Sequence, residues 1–187
     1  MRAISVAAPL FLLCYGILRW VDGLDGDRGG GPAWNVGHAA FFIGMVLFAV
    51  LAAGLRRAVA PRRRVLATAA SAAVVFGVGC FLWVITGDLF RAFHDRFPLP
   101  EPLAMAGPAL FGLGMLVLLV LLVAARRLPV RSPVLFLAGY VSISFSLDLL
   151  PLAGLLILIG LAPLARAGER GCGRRHLNSR AAGGPGA

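Results

Sequence analysis

A chain of 187 residues that is 59% hydrophobic, with a mean hydropathy of +0.88, lacks the polar surface that a soluble domain of this size requires. Its net charge of +10 does not make it a nucleic-acid binder, because the basic residues sit in short segments between apolar runs rather than on one soluble face. All 18 basic residues are Arg, and the three scattered cysteines, Cys14, Cys80 and Cys172, form neither a disulfide framework nor a CxxC metal signature.

A helix crosses a hydrocarbon core of about 30 Å with about 20 apolar residues. Several such runs follow one another here, and they predict an all-α integral membrane bundle. The first covers about residues 3–20. It begins like a signal peptide, with Arg2 and an apolar stretch, but no A-x-A-like cleavage site follows, so an uncleaved span is expected. Trp20 is placed at the membrane interface.

The loop VDGLDGDRGGGPAWN comes next. Asp25-Gly26-Asp27 followed by glycines resembles half of an EF-hand, whose loop sets oxygen ligands at alternate positions around Ca²⁺. The twelfth position counted from Asp25 is Val36, where an EF-hand carries Glu. Asp25-Gly26 also resembles the opening of the membrane CDP-alcohol phosphotransferases, without their downstream aspartates. The expectation is a flexible polar loop, with a divalent-cation site at Asp22, Asp25 and Asp27 as the alternative.

Span two covers about 36–55 and opens with His38 beside Trp34. His38 is expected to be an interfacial hydrogen-bonding residue. Together with His94, Asp95 and the loop aspartates it is also a candidate for an outer metal cluster. A b-type haem usually asks for a second axial ligand at comparable depth; no other span holds a His, and no cofactor is expected. The basic loop RRAVAPRRR leads into span three, about 65–87. In DLFRAFHDRFP, Leu89, Phe90, Phe93 and Phe97 share one helical face. That pattern predicts an amphipathic helix lying in the headgroup plane or covering a groove. PLPEP breaks it before span four, about 103–125.

Val134–Ala165 is the difficult region, an apolar run of 32 residues interrupted by Asp148. One straight helix of that length rises about 48 Å. A hairpin turning near Asp148–Pro151 gives two short spans, about 133–147 and 152–165, with about 26 Å between Arg131 and Asp148 and again between Leu149 and Arg166. Arginine gathers in cytoplasmic segments. Six spans with a cytoplasmic N-terminus put 14 arginines inside and four outside, whereas five spans divide them nine and nine. Six spans are therefore predicted, with Asp148 at an outer turn. The competing picture is one kinked span with Asp148 facing the bundle interior.

Small residues line the predicted spans and favour close helix packing: Ala40 and Gly44; Ala69, Ala73 and Gly77; Gly139, Ser142 and Ser146. The organisation expected is a six-span domain over 1–165 and a disordered, basic, cytoplasmic tail over 166–187. The chain belongs in the cell membrane as a multi-pass protein with both termini cytoplasmic. Three functions follow as readings. A non-enzymatic component that binds a membrane-protein partner or another copy of itself leads, on the small-residue stripes and the absence of charge at span centres. A permease for a neutral or lipid-like solute, lined by Ser142 and Ser146, is second. An enzyme or sensor with an outer site around Asp22, Asp25, Asp27, His38 and His94 is third. The chain carries no HExxH, GxSxG or phosphate-binding loop, and the balance leans away from an enzyme. The partners expected are the bilayer and a membrane protein, not nucleic acid.

Overall fold

A computed structural model describes residues 1–24, 29 and 31–166. These form seven α-helices and, among the described residues, no strand. The helices are α1 (Arg2–Asp22), α2 (Pro32–Ala58), α3 (Arg64–Leu89), α4 (Arg91–Arg96), α5 (Glu101–Ala124), α6 (Arg131–Phe145) and α7 (Leu150–Arg166). Five of them, α1, α2, α3, α5 and α7, are long and apolar enough to cross a membrane. Helix α6, with 15 residues, rises only about 22 Å. The chain is thus a helical bundle of membrane-protein type.

Prolines explain several helix starts. Helix α2 begins at Pro32, four residues before the apolar run, because proline's fixed φ and missing amide suit a first helical turn. Pro102 plays the same part in α5, and Pro151 in α7. The early start of α2 places His38 almost two turns inside the helix rather than at its edge.

The expected amphipathic helix over DLFRAFHDRFP is corrected. Helix α3 continues through Asp88 and Leu89, and Phe90 is extended (φ −127°, ψ 93°). Only six residues remain for α4, which folds back on α3. Phe93 packs against Trp83 with ring centroids 5.3 Å apart, and Phe97 follows at 5.6 Å from Phe93. Aromatic packing within the chain takes Phe93 from that face, while Phe90 and Phe97 stay exposed.

The last apolar region is broken between α6 and α7. Ser146 is extended (φ −160°, ψ 134°), and a single 3-10 turn spans Leu147–Leu149. The Ser146 hydroxyl accepts the Asp148 amide at 3.1 Å, a local side-chain cap. Helices α6 and α7 then lie antiparallel. A Cβ on Gly139 would sit 2.8 Å from the Ala153 carbonyl oxygen, and one on Gly160 would sit 3.0 Å from that of Ser132.

Around the bundle the helices follow the order α5, α3, α2, α1, α7, α6. Tyr140 of α6 reaches α5, where its hydroxyl donates to the Pro108 carbonyl at 2.5 Å and its ring fills the space left by Gly112. The tightest seam joins α3 to α5. A Cβ on Gly77 would collide with the Gly107 carbonyl oxygen, and one on Gly107 with the Cys80 side chain; only small residues permit this approach. Phe48, Met115, Leu118 and Phe136 fill the centre. Outside, Phe42, Val75, Leu113, Val120 and Ile159 remain exposed, the apolar belt that a lipid-facing surface needs.

Most arginines lie at one end, with Arg19, Arg91 and Arg96 at the other. Arg2, Arg56, Arg57, Arg62–Arg64, Arg126, Arg127, Arg131 and Arg166 cap one end. Asp22, Asp88, Glu101, Asp148 and all three tryptophans or their partners gather at the other.

Candidate functional site

The candidate site lies at the tryptophan end, where α1, α2 and α3 meet. Helical spacing puts Trp34 four residues before His38, one turn away. The His38 ring is only 2% exposed. Its Nδ1 lies 2.9 Å from the Trp34 carbonyl oxygen. A carbonyl can only accept, so Nδ1 carries a proton and donates it. Nε2 then faces an Asp88 carboxylate oxygen at 3.5 Å, and Asp88 is 38% exposed.

Neighbouring groups hold this pair in place. The Trp34 ring lies against His38 with centroids 4.0 Å apart, and its indole N–H donates to the Asp88 carbonyl at 3.4 Å. From α1, the Tyr15 ring meets His38 edge-on at 5.1 Å and stacks on Phe41 at 4.6 Å. Gly37 gives Tyr15 and Leu18 room to approach α2. Arg19, one turn beyond Tyr15, and Asp88 of α3 are the charged groups that act on the Tyr15 hydroxyl. The Arg19 Nε is buried without a hydrogen-bond partner among the described residues.

The electrostatics are specific. If His38 is neutral, its one proton is on Nδ1 and the Nε2 lone pair confronts a carboxylate, which is repulsive. A proton on Nε2 turns the contact into an imidazolium–carboxylate pair.

Asp88 also borders a cavity of about 190 Å³ between α3 and α4. Trp83, Gly87, Asp88, Phe93, His94 and Phe97 line it. Exposed His94 lies over Gly87, where a Cβ would sit 3.3 Å from its Nδ1. Both candidate histidines thus border the Gly87-Asp88 step, although they are separated by 56 positions in sequence.

The remaining candidates fall elsewhere. Asp22 is buried at the end of α1, and its Oδ2 accepts the Gly29 amide at 3.2 Å, which ties the loop. Asp25 and Asp27 lie outside the described residues. Among the described residues no three His, Cys, Asp or Glu side chains come together as a metal site would need.

Most of the small residues predicted for packing meet other helices of the same chain. Ala40 is buried, Gly44 abuts Phe11 and Ala8 of α1, Gly77 abuts α5, and Gly139 abuts α7. Ala73 is half-buried and Ala69 is exposed, because the buried face of α3 runs through Ala67, Ala70, Val74 and Gly77. The Ser142 hydroxyl donates to the Gly139 carbonyl of its own helix at 2.8 Å, and Ser146 forms the cap described above.

Sequence reasoning missed Asp88, Tyr15 and Arg19. Asp88 carried one signal, its depth: under the predicted topology it directly follows span three at the same end where His38 begins span two. No known protein family, curated protein or solved structure matches the chain.

Proposed function

We propose that this chain is a six-span protein of the cell membrane, with both termini cytoplasmic, that acts as a sensor of outer proton concentration through the His38–Asp88 pair. One observation carries the reading: a buried imidazole donates from Nδ1 to a carbonyl while its Nε2 faces a carboxylate that reaches water. Ionisable groups within membrane helices are costly and mark functional positions, and imidazole is the side chain whose charge changes closest to neutral pH. The groups facing the pair are Tyr15 and Arg19 from α1, Trp34 from α2 and His94 from α4.

The six-span arrangement is supported by the arginine count and by the helix break at Ser146–Leu149. The small-residue stripes speak less for an external partner than the sequence suggested, since Gly44, Gly77 and Gly139 are occupied by neighbouring helices. The permease reading loses support in the same way, because Ser142 spends its hydroxyl on its own helix.

Trp34 reports on the site directly, since a protonated imidazole against an indole quenches its emission. In a Trp20→Phe, Trp83→Phe background reconstituted in neutral lipid, acidification should lower Trp34 fluorescence in one step. His38→Gln should abolish that step and His94→Gln should leave it. A step that persists in His38→Gln refutes the assignment.

A further inference from the structure

At the arginine end a cavity of about 1220 Å³ opens between the ends of α1, α2, α5, α6 and α7. It exceeds the roughly 300–1,000 Å³ of ordinary small-molecule pockets. Arg2, Arg126, Arg127, Arg131 and Arg166 stand around it, and among the described residues no acidic side chain lines it. Its floor is apolar: the half-buried Val123, Pro163 and Leu164 line it, over the buried Leu51, Leu55 and Leu122. The arginines come from three separate stretches of the chain, so it is the fold that assembles them.

Arg126 supplies an independent observation. It has φ 56°, the one left-handed non-glycine residue among those described. Its amide donates to the Val123 carbonyl at 2.8 Å, and the next amide, of Arg127, donates to Leu122 at 2.9 Å. That is the Schellman ending of a helix, and its left-handed position usually belongs to glycine. The chain contains 24 glycines, yet it keeps an arginine where the backbone favours glycine. Strain of this kind gathers at ligand-binding positions.

We propose that this cavity binds an anionic membrane lipid, with its phosphate among the arginines and its acyl chains along the apolar lining of Val123, Pro163 and Leu164. Five guanidinium groups with no carboxylate call for an anion, and arginine's planar fork matches phosphate oxygens in pairs. The apolar floor calls for more than inorganic phosphate, which would leave Val123, Pro163 and Leu164 uncovered. The chain's own residues 167–187 are a poor occupant, because they carry four arginines against one glutamate.

The test uses the full-length protein in neutral detergent, read by native mass spectrometry. The probes are phosphatidylglycerol, phosphatidylcholine and inorganic phosphate. Phosphatidylglycerol should be retained about tenfold better than phosphatidylcholine, and Arg126→Gly and Arg131→Gln should each reduce its retention about fivefold. The double variant Arg62→Gln, Arg63→Gln removes two exposed arginines outside the cavity and should leave retention unchanged. Arg126→Gly separates binding from folding, since glycine relaxes the left-handed position and the variant should melt no lower than the parent chain. Equal retention of the two lipids overturns the proposal. So does an equal loss in the Arg62/Arg63 variant, which would mean bulk charge, or displacement of the lipid by inorganic phosphate, which would mean a free-anion site.

Discussion

At the tryptophan end of the bundle, each of three indoles donates to a backbone carbonyl of another segment. Trp20 reaches Asp148 at 2.8 Å, Trp34 reaches Asp88 at 3.4 Å and Trp83 reaches Phe97 at 2.9 Å. At the arginine end one such tie appears, from the Arg127 guanidinium to the Ala58 carbonyl at 2.8 Å. One end is stitched and holds a buried imidazole. The other is splayed around a large cavity. The difference follows from the side chains: an indole buries its body and offers one directed N–H, whereas clustered guanidinium groups repel one another and turn to water or to an anion. A single chain can thus fix the geometry at one end and leave a ligand-sized opening at the other.

The comparison rests on a common middle, and breaking that middle gives the largest effect. In Gly107→Leu the added side chain has no room against Cys80. Overpacking of this kind costs about 1–3 kcal/mol and sometimes more. Thermal unfolding in detergent should fall sharply, with both ends lost together. If instead one end keeps its signature while the other melts, the ends are independent units and the seam between α3 and α5 does not join them.

A smaller effect separates the ends. Trp20→Phe keeps the ring and removes the donor to Asp148, worth about 0.5–1.5 kcal/mol. Hydrogen exchange should quicken at residues 147–149 and stay unchanged at residues 122–131. Equal acceleration at both sites would show that the indoles do not hold the end where they lie.

Hydropathy made much of the fold legible, because apolar run length is the dominant constraint on a membrane helix. The runs near 3–20, 65–87 and 103–125 each became a helix within a few residues of those limits. What hydropathy lacks is rotation. Helices α3 and α5 are apolar on every side, since lipid and bundle core reward the same residues, so no stripe revealed that Ala69 faces out while Ala67 and Ala70 face in. The same gap hid the site. His38 was legible as an unusual residue, but its partner Asp88 lies 50 positions away on another helix, and only the turn of α3 brings them together. Arg126 was hidden for a different reason. Its arginine fits the basic loop by composition, and only the backbone reveals that glycine was the ordinary choice there.

The last prediction concerns Asp148 and should disturb the protein least. What Trp20 binds is the Asp148 backbone carbonyl, and Asp148→Cys preserves the backbone. Position 148 is exposed in the turn between α6 and α7, at the end opposite the arginines. With six spans that end faces outward. In a background lacking Cys14, Cys80 and Cys172, a membrane-impermeant thiol reagent added to intact cells should therefore label Cys at 148. A second Cys at Arg62, on the arginine end, should be labelled only after the cells are opened. The paired positions matter because either alone has a trivial explanation: a buried thiol resists labelling, and a leaky cell permits it. Labelling at both positions from outside would mean that the reagent had entered the cells. Labelling at 62 but not at 148 in intact cells would invert the protein in the membrane. It would turn the His38–Asp88 pair toward the cytoplasm and leave the arginine cavity facing the outer leaflet.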